Sequence, residues 1–479
     1  MAHNKWPRHA LLSDFWALLR KGTPRPAPGC DQWEKWVIKN LPDRALGIVL
    51  RLHNYIVTNT RFPGNLKDMW LTMFHKHGLH TDLTNWRGLL ISNFLANSPM
   101  SHSGCNAASI SCWAKRHKVT VYALKHDQMK GFDYLSPQGM YDAVSAYGLP
   151  SAIIDLDHAA QTDTKCYICT AHGITKPILI TGLTKQGGSL SPVKSTLTTS
   201  LGHHYPNDLS ANDPDTLIVS TANGLKGDPH LADNHLSCKV IMVEATDNSY
   251  LFARSLTALQ RNALAMEHFQ FAYGWLTQWT KLMAYVLEPS SDPPAFADFE
   301  SVTTTTGANP LNITTHCVAL RSNELDFLRT LVDDPHSRYE ELKEFIQHFT
   351  FPKFLRHPPI TLLRKILKQN VVSKARALIS LQPIKRADAD KLDKILKMLI
   401  HQESGMPFEP NPDVLMLPTE FHSLDFPSIG HVNNTAAVNG LHCDLNHPIA
   451  SYRMMARITL MDWTCTINNC INPLDGHSL

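Results

Sequence analysis

Two aspartates stand where short extended segments end. Asp127 closes the run KVTVYALKHD, and Asp247 lies with Asn248 at the tip between the apolar stretches of VIMVEATDNSYLFA. An aspartate at a strand end is, taken alone, also a turn former or a helix cap. Its surroundings add to it. Between the two acids lies KQGGSLSPVKSTL, a Gly-Gly turn running into a helix, which lets backbone approach a flat or phosphate-bearing ligand closely. Lys281 in YGWLTQWTK follows Asp247 by 34 residues, and FHKHGLHTDLTNWRGL supplies Lys76 and Arg87 ahead of both acids. The chain therefore carries an ordered set of cation, acid, close-approach turn, acid and lysine.

The elements that must position this set can be read from the pattern around it. Residues 1–44 hold four of the ten tryptophans and a TPRPAP break, and read as a helical lead-in; an amphipathic stretch follows from Asp43 to Val57. From residue 118 short β-branched runs predict strands. Ser136 followed by Pro137, with Gly148 eleven residues further on, predicts a capped helix. The Pro/Ser/Thr/Gly-rich stretch from PSSDPPAF to TTTTGANP predicts a linker over 291–324. Beyond it, ITLLRKILKQNVVSKARALISL and ADADKLDKILKMLIHQ predict helices, the second with Leu392, Ile395, Leu396, Leu399 and Ile400 on one face and Lys391, Lys394 and Lys397 off it. LNHPIASYRMMARITLMDW predicts one more helix.

Charge follows this division. The 479 residues balance 45 Lys+Arg against 42 Asp+Glu, a net charge of +3. Residues 351–400 hold 12 Lys/Arg and 3 Asp/Glu, a local +9, so the rest of the chain carries +3 − 9 = −6. A basic helical segment on a mildly acidic body suits a polyanionic partner. A hydrophobic content of 43% excludes a disordered chain. With ten scattered cysteines, no apolar signal core and no long apolar run, the expectation is an intracellular, reduced protein that does not engage membrane.

DQMKGFD, KQGGSLSP, VEATDNSYLF and YGWLTQWTK, in that order, resemble the reverse transcriptases of non-LTR retrotransposons, and most closely the reverse-transcriptase-like proteins of mushroom-forming fungi. The resemblance runs from about residue 45 to the end. It implies an α+β right-hand polymerase: fingers over 45–117, a palm with an antiparallel sheet over 118–290, a basic helical thumb over 325–405 and a C-terminal helical extension over 406–479. The implied activity is RNA-directed DNA polymerisation from an RNA template, a DNA primer and deoxynucleoside triphosphates, with two Mg²⁺ ions. Mg²⁺ demands oxygen ligands from converging segments, and the resemblance assigns these to Asp127, Asp247 and the backbone carbonyl of Gln128. It also implies that Phe132 lies under the nucleotide sugar, that Gln186 and Gly187 form the turn beside the nucleotide, that Lys76 and Arg87 grip the triphosphate, and that Lys281 protonates pyrophosphate. Lys365, Lys368, Lys391, Lys394 and Lys397 would grip nucleic acid. Phe132 has a second reading, as a core aromatic at a strand-to-helix junction.

Three features depart from that family. Asn248 stands where a second adjacent aspartate is usual, only 40 positions separate Arg87 from Asp127, and NSPMSHSGCNAASISCW replaces the expected fingers element. The first bears on metal binding and the second on template grip. They keep open an alternative, a catalytically silent nucleic-acid-binding protein that retains the fold. Asp133 and Glu244 are not expected in the metal site. Cys166, Cys169 and His172 have zinc-like local spacing without a second pair, so CYICTAH reads as a strand leading to Gly173.

Overall fold

The computed structural model describes residues 13, 16, 35–59, 69–75, 86–92, 106–129, 135–170, 173–180, 191–210, 212–221, 236–245, 248–302, 313–327, 330–332, 334–353, 357–379, 383–406, 411–447 and 450–468. After helix α1 (Asp43–Asn59), strands β1 (Met69–His75) and β2 (Trp86–Ser92) pair antiparallel, from Met69 opposite Ser92 to His75 opposite Trp86. Helix α2 (Asn106–His117) leads into β3 (Val121–Met129). Helix α3 (Pro137–Ala146) starts as its sequence dictates: the Ser136 hydroxyl accepts from the Gly139 amide at 3.4 Å, and Gly148 ends it with φ +79°. Helix α4 (Ser151–Gln161) follows, then β4 (Thr164–Thr170), which pairs parallel to β1. With β5 (Gly173–Ile174) and β6 (Ile178–Ile180) on β4, the first sheet is complete. It draws strands from both sides of residue 117, where the sequence suggests a boundary.

The second sheet carries the acids. After helix α5 (Ser191–Leu209) and the small ribbon β7 (Ile218–Ser220) and β8 (Ser237–Lys239), a hairpin of β9 (Met242–Ala245) and β10 (Asn248–Ala253) lies beside β3. Helix α6 (Leu256–Ala272) then returns the chain to β11 (Leu276–Thr277) and β12 (Met283–Leu287), both antiparallel to β3. Strands β13 (Phe296–Val302) and β14 (Ile313–Ser322) extend the sheet to the order β13-β14-β12-β3-β10-β9. All these pairings are antiparallel except β12 with β14.

The last two strands correct the expected linker over 291–324. Phe296 to Ser301 alternate strictly between exposed and buried, with Ala297, Phe299 and Ser301 inward. That period of two places Ala297 and Phe299 in the core with Val318 and Leu320. Of the turn-forming residues that suggest a linker, those at 289–295 precede β13, and those at 303–312 lie outside the described residues.

Both faces of β3 are buried. Val121 and Ala123 join Ile110 and Trp113 of α2 with Tyr250 and Phe252, while Leu124 joins Leu259 and Met266 of α6. After the short ribbon β15 (Asp326–Phe327) and β16 (Thr330–Leu331), the chain becomes helical: α7 (Pro335–Gln347), α8 (Ile360–Leu367), α9 (Ser373–Ile379) and α10 (Arg386–Ser404). A π turn over Lys368–Val372 joins α8 to α9 without leaving helical backbone, so the two run on as one helix. Leu392, Leu396 and Ile400 of α10 are fully buried in this bundle.

The described helices after residue 406 pack against the elements before them. Leu415, Phe426 and Ile429 complete the bundle's core, and α11 (Ile429–Leu445) packs on α10. Helix α12 (Ala450–Asn468) instead places Met455 and Ile458 in the core of the second sheet. The buried Asp462 fixes it there, 2.8 Å from His117 Nε2 and 3.4 Å from Arg116. The fold is α+β, an acid-bearing sheet backed by helices and followed by a helical bundle, consistent with a right-hand polymerase. Among the described residues no helix is long and apolar enough to cross a membrane.

Candidate functional site

Asp127 is the seventh residue of β3, beyond the part of the strand that β12 covers. Its carboxylate is one-quarter exposed, and Lys281 Nζ stands 3.2 Å from Oδ2. Lys281 reaches it from a single 3₁₀ turn, Trp279–Lys281. That turn is tied to the same strand, because the Gln278 amide donates to the Asp127 carbonyl at 2.9 Å. On the other side of β3, Asn248 is the register partner of Asp127, and Asn248 also pairs with Ala245 to close the β9–β10 hairpin. Segments far apart in the chain thus meet at Asp127.

Strand alternation puts Lys125 on the face of Asp127. Lys125 Nζ is 2.5 Å from Asp326 Oδ2, the Tyr285 hydroxyl donates to Asp326 Oδ1, and the Tyr250 hydroxyl donates to the Asp326 carbonyl at 2.6 Å. Burial first, then the Asp326 charge, pushes both phenols well above their ordinary range, so they remain protonated donors. Asp326 had no signal in the sequence: it sits in RSNELDFL, with no motif around it.

The opposite face of β3 carries His126 and Gln128, both buried. Burial lowers the His126 pKa to about 4. A histidine depressed this far below its unfolded value of 6.5 contributes stability that is complete above about pH 6.5 and lost as the pH falls towards 4, because only the unfolded chain takes up the proton. Urea unfolding between about pH 7.5 and 4.5 should show a loss approaching 3 kcal/mol from this group. His126→Gln should flatten that part of the profile. An equally steep profile in the variant would assign the loss to other groups.

The remaining expected residues divide by location. Lys76, Phe132, Gln186, Gly187 and Asp247 lie outside the described residues. Of Arg87 only the backbone is described, in β2 opposite Phe74. The lysines of the bundle are divided between α8 with its π turn (Lys365, Lys368) and α10 (Lys391, Lys394, Lys397), in unlike settings. Lys368 pairs with Asp425 at 2.9 Å, and Lys391 pairs with Asp388 at 2.8 Å while lying over the Tyr339 ring. Lys397 is half-buried, whereas Lys365 and Lys394 are exposed and make no ion pair among the described residues.

Among the described residues no three His, Cys, Asp or Glu side chains gather as a metal cluster. Asp127 nevertheless fits one position of a hard-cation site. It offers partly exposed carboxylate oxygens near the end of β3, already in contact with a cationic group.

Comparison with solved structures finds telomerases from two Candida species. Apo telomerase from Candida tropicalis, truncated from its C-terminal domain, is 12% identical with a TM-score of 0.29; the match covers 58% of this chain and 46% of that one. This chain thus spans under half of that first structure. The Candida tropicalis telomerase in complex with the TWJ fragment of telomeric RNA is 12% identical over 88% of this chain and 71% of its own, with a TM-score of 0.35. The corresponding Candida albicans complex is 10% identical over 85% and 68%, with a TM-score of 0.33. No protein-family model matches the chain, and no curated protein matches it.

Proposed function

We propose that this chain is the core of an RNA-directed DNA polymerase of the non-LTR retrotransposon type. The observation that carries this reading is the meeting of Asp127 with Lys281, at 3.2 Å, opposite the Asn248 end of the hairpin. In this reading Asp127, Asp247 and the Gln128 carbonyl would hold Mg²⁺, which when bound supplies charge stabilisation for the attacking 3′-oxygen and the leaving pyrophosphate.

The chain's own groups do the rest. Lys281, about two-thirds exposed and tied beside the acid by the Gln278–Asp127 backbone bond, would give its proton to pyrophosphate. Lys76 and Arg87 would hold the triphosphate, Arg87 through the paired N–H groups of its planar guanidinium. Gln186 and Gly187 would line the nucleotide, with Phe132 against its sugar. RNA template and DNA primer would run along the basic bundle. Lys365 and Lys394 suit that role better than Lys368 and Lys391, whose charges are already paired.

Lysine replacement tests that assignment. Lys394→Gln should lower the log-log salt slope of RNA binding by roughly 0.7 to 0.9, the value of one released phosphate contact, for all sequences alike. Lys391→Gln should change it little. Equal effects at the two positions would contradict the distinction drawn from their ion pairs.

A second reading, a silent nucleic-acid-binding protein, is favoured by one observation: a neutral Asn248 is the register partner of Asp127. A unit charge missing about 4 Å from a cation costs roughly 4 kcal/mol at an effective dielectric near 20, before ions rearrange. The expected result is therefore weak extension that needs high Mg²⁺, with Asn248→Asp raising the rate at limiting Mg²⁺. Superimposable Mg²⁺ titrations with robust activity would show the third carboxylate to be dispensable. Inactivity of both proteins would favour the silent binder.

A further inference from the structure

The segment that carries Lys281 is held by Trp275, buried at its start, and by Trp279, which stacks on His316 of β14 at 4.5 Å and donates to Glu267 Oε1 at 2.9 Å. Residues 274–281 leave α6 at Gly274, whose φ is +85°, and make two ladder pairs with β3, Leu276 with Met129 and Thr277 with Gln128. An exposed ammonium–carboxylate contact is too weak to fix such a strap. Behind it, on the face of β3 opposite Asp127, three polar side chains from three elements are enclosed: His126 of β3, Gln270 of α6 and Thr277 of the strap are 1%, 0% and 7% exposed.

Their contacts close on themselves. The Thr277 hydroxyl donates to Gln270 Oε1 at 3.2 Å, so its oxygen is left to accept. His126 Nε2, at 3.3 Å, must then be the protonated ring nitrogen, which leaves Nδ1 as the acceptor for Gln270 Nε2 at 3.5 Å. Each of the three side chains donates once and accepts once around the ring. Apolar side chains could fill this space without polar desolvation; a closed polar ring adds one required alignment of helix, strand and strap.

The geometry points to His126, Gln270 and Thr277 as positioning residues that hold the strap so that Lys281 stands against Asp127. Their catalytic meaning rests on the polymerase reading; the alignment itself does not. Lys281 is where a donor to a leaving group would have to be held, and the ring acts on it through the strap backbone, at the Gln278–Asp127 bond and the Thr277–Gln128 pair.

The test uses the full chain with its lysines carrying ¹³C-methyl groups, the Lys281 resonance being assigned from its absence in Lys281→Arg. In the wild-type background, Asp127→Asn is expected to move that resonance. In Thr277→Val, which keeps the shape and deletes the hydroxyl, the response to Asp127→Asn should be lost, and Thr277→Ser should restore it. Gln270→Met, which breaks the ring at another side chain, should reproduce the loss. A response retained in both Thr277→Val and Gln270→Met, or absent from the wild-type background, would overturn the assignment. A wild-type protein that shows the coupling but no Mg²⁺-dependent primer extension would remove the polymerase reading and leave the positioning role standing.

Discussion

Replacing Asp127 or Asp247 with alanine is expected to abolish Mg²⁺-dependent primer extension, a loss of at least about a thousandfold, or roughly 4 kcal/mol of transition-state stabilisation. Under the proposed mechanism each change removes an oxygen ligand to the metal. Folding should survive the change at Asp127. Its carboxylate is partly exposed at the strand end, and the ammonium it leaves behind is already largely in solvent. An exposed pair of this kind contributes at most about 1 kcal/mol. Extension by Asp127→Ala at near wild-type rate, with its metal dependence retained, would end the assignment of that acid.

The largest effect on stability is expected away from the site. Lys194, at the start of α5, is 4% exposed and lies 2.8 Å from Asp157 Oδ2 of α4. The same carboxylate oxygen accepts from the Tyr141 hydroxyl of α3 at 2.9 Å and from Gln161 at 2.6 Å. Asp157→Ala leaves a buried ammonium, a hydroxyl and an amide without their shared acceptor. Breaking a buried pair from one side costs roughly 3–5 kcal/mol. Urea unfolding should show that loss, and the paired change Asp157→Leu with Lys194→Met should recover much of it. A loss below about 1 kcal/mol in the single variant would mean that water reaches Lys194 readily. The cluster ties together α3, α4 and α5, the last of which begins at Ser191 within KQGGSLSP.

Local chemistry was legible in the sequence where the signal itself is local. The cap at Ser136, the strand that carries Asp127, the hairpin that bears Asn248 and the apolar face of α10 each depend on residues a few positions apart. The order of acid, hairpin and lysine is also visible, although the 3.2 Å contact it produces depends on β11 pairing with β3. What escaped depends on partners distant in the chain. Strands β13 and β14 were hidden by the turn-forming residues between them, despite the strict alternation of 296–301. Asp326 meets Lys125, Tyr250 and Tyr285 across 201, 76 and 41 residues. The return of α12 to the sheet core depends on Met455 and Ile458, which read only as one helix among others. Lys391 could have been read differently, since Asp388 lies three residues before it on the same helix; the pairing of Lys368 with Asp425 could not.

The central claim is that the Asp127 end of β3 is the reaction centre of an RNA-templated DNA polymerase. Its most direct test is extension of a labelled DNA primer on an RNA template by the full chain, with deoxynucleoside triphosphates, across a Mg²⁺ titration, beside Asp127→Asn. The expected result is templated extension that rises into high Mg²⁺ and is absent from the variant. A folded wild-type protein that binds the RNA–primer duplex yet adds no nucleotide at any Mg²⁺ concentration, or one that extends equally well as Asp127→Asn, would contradict it.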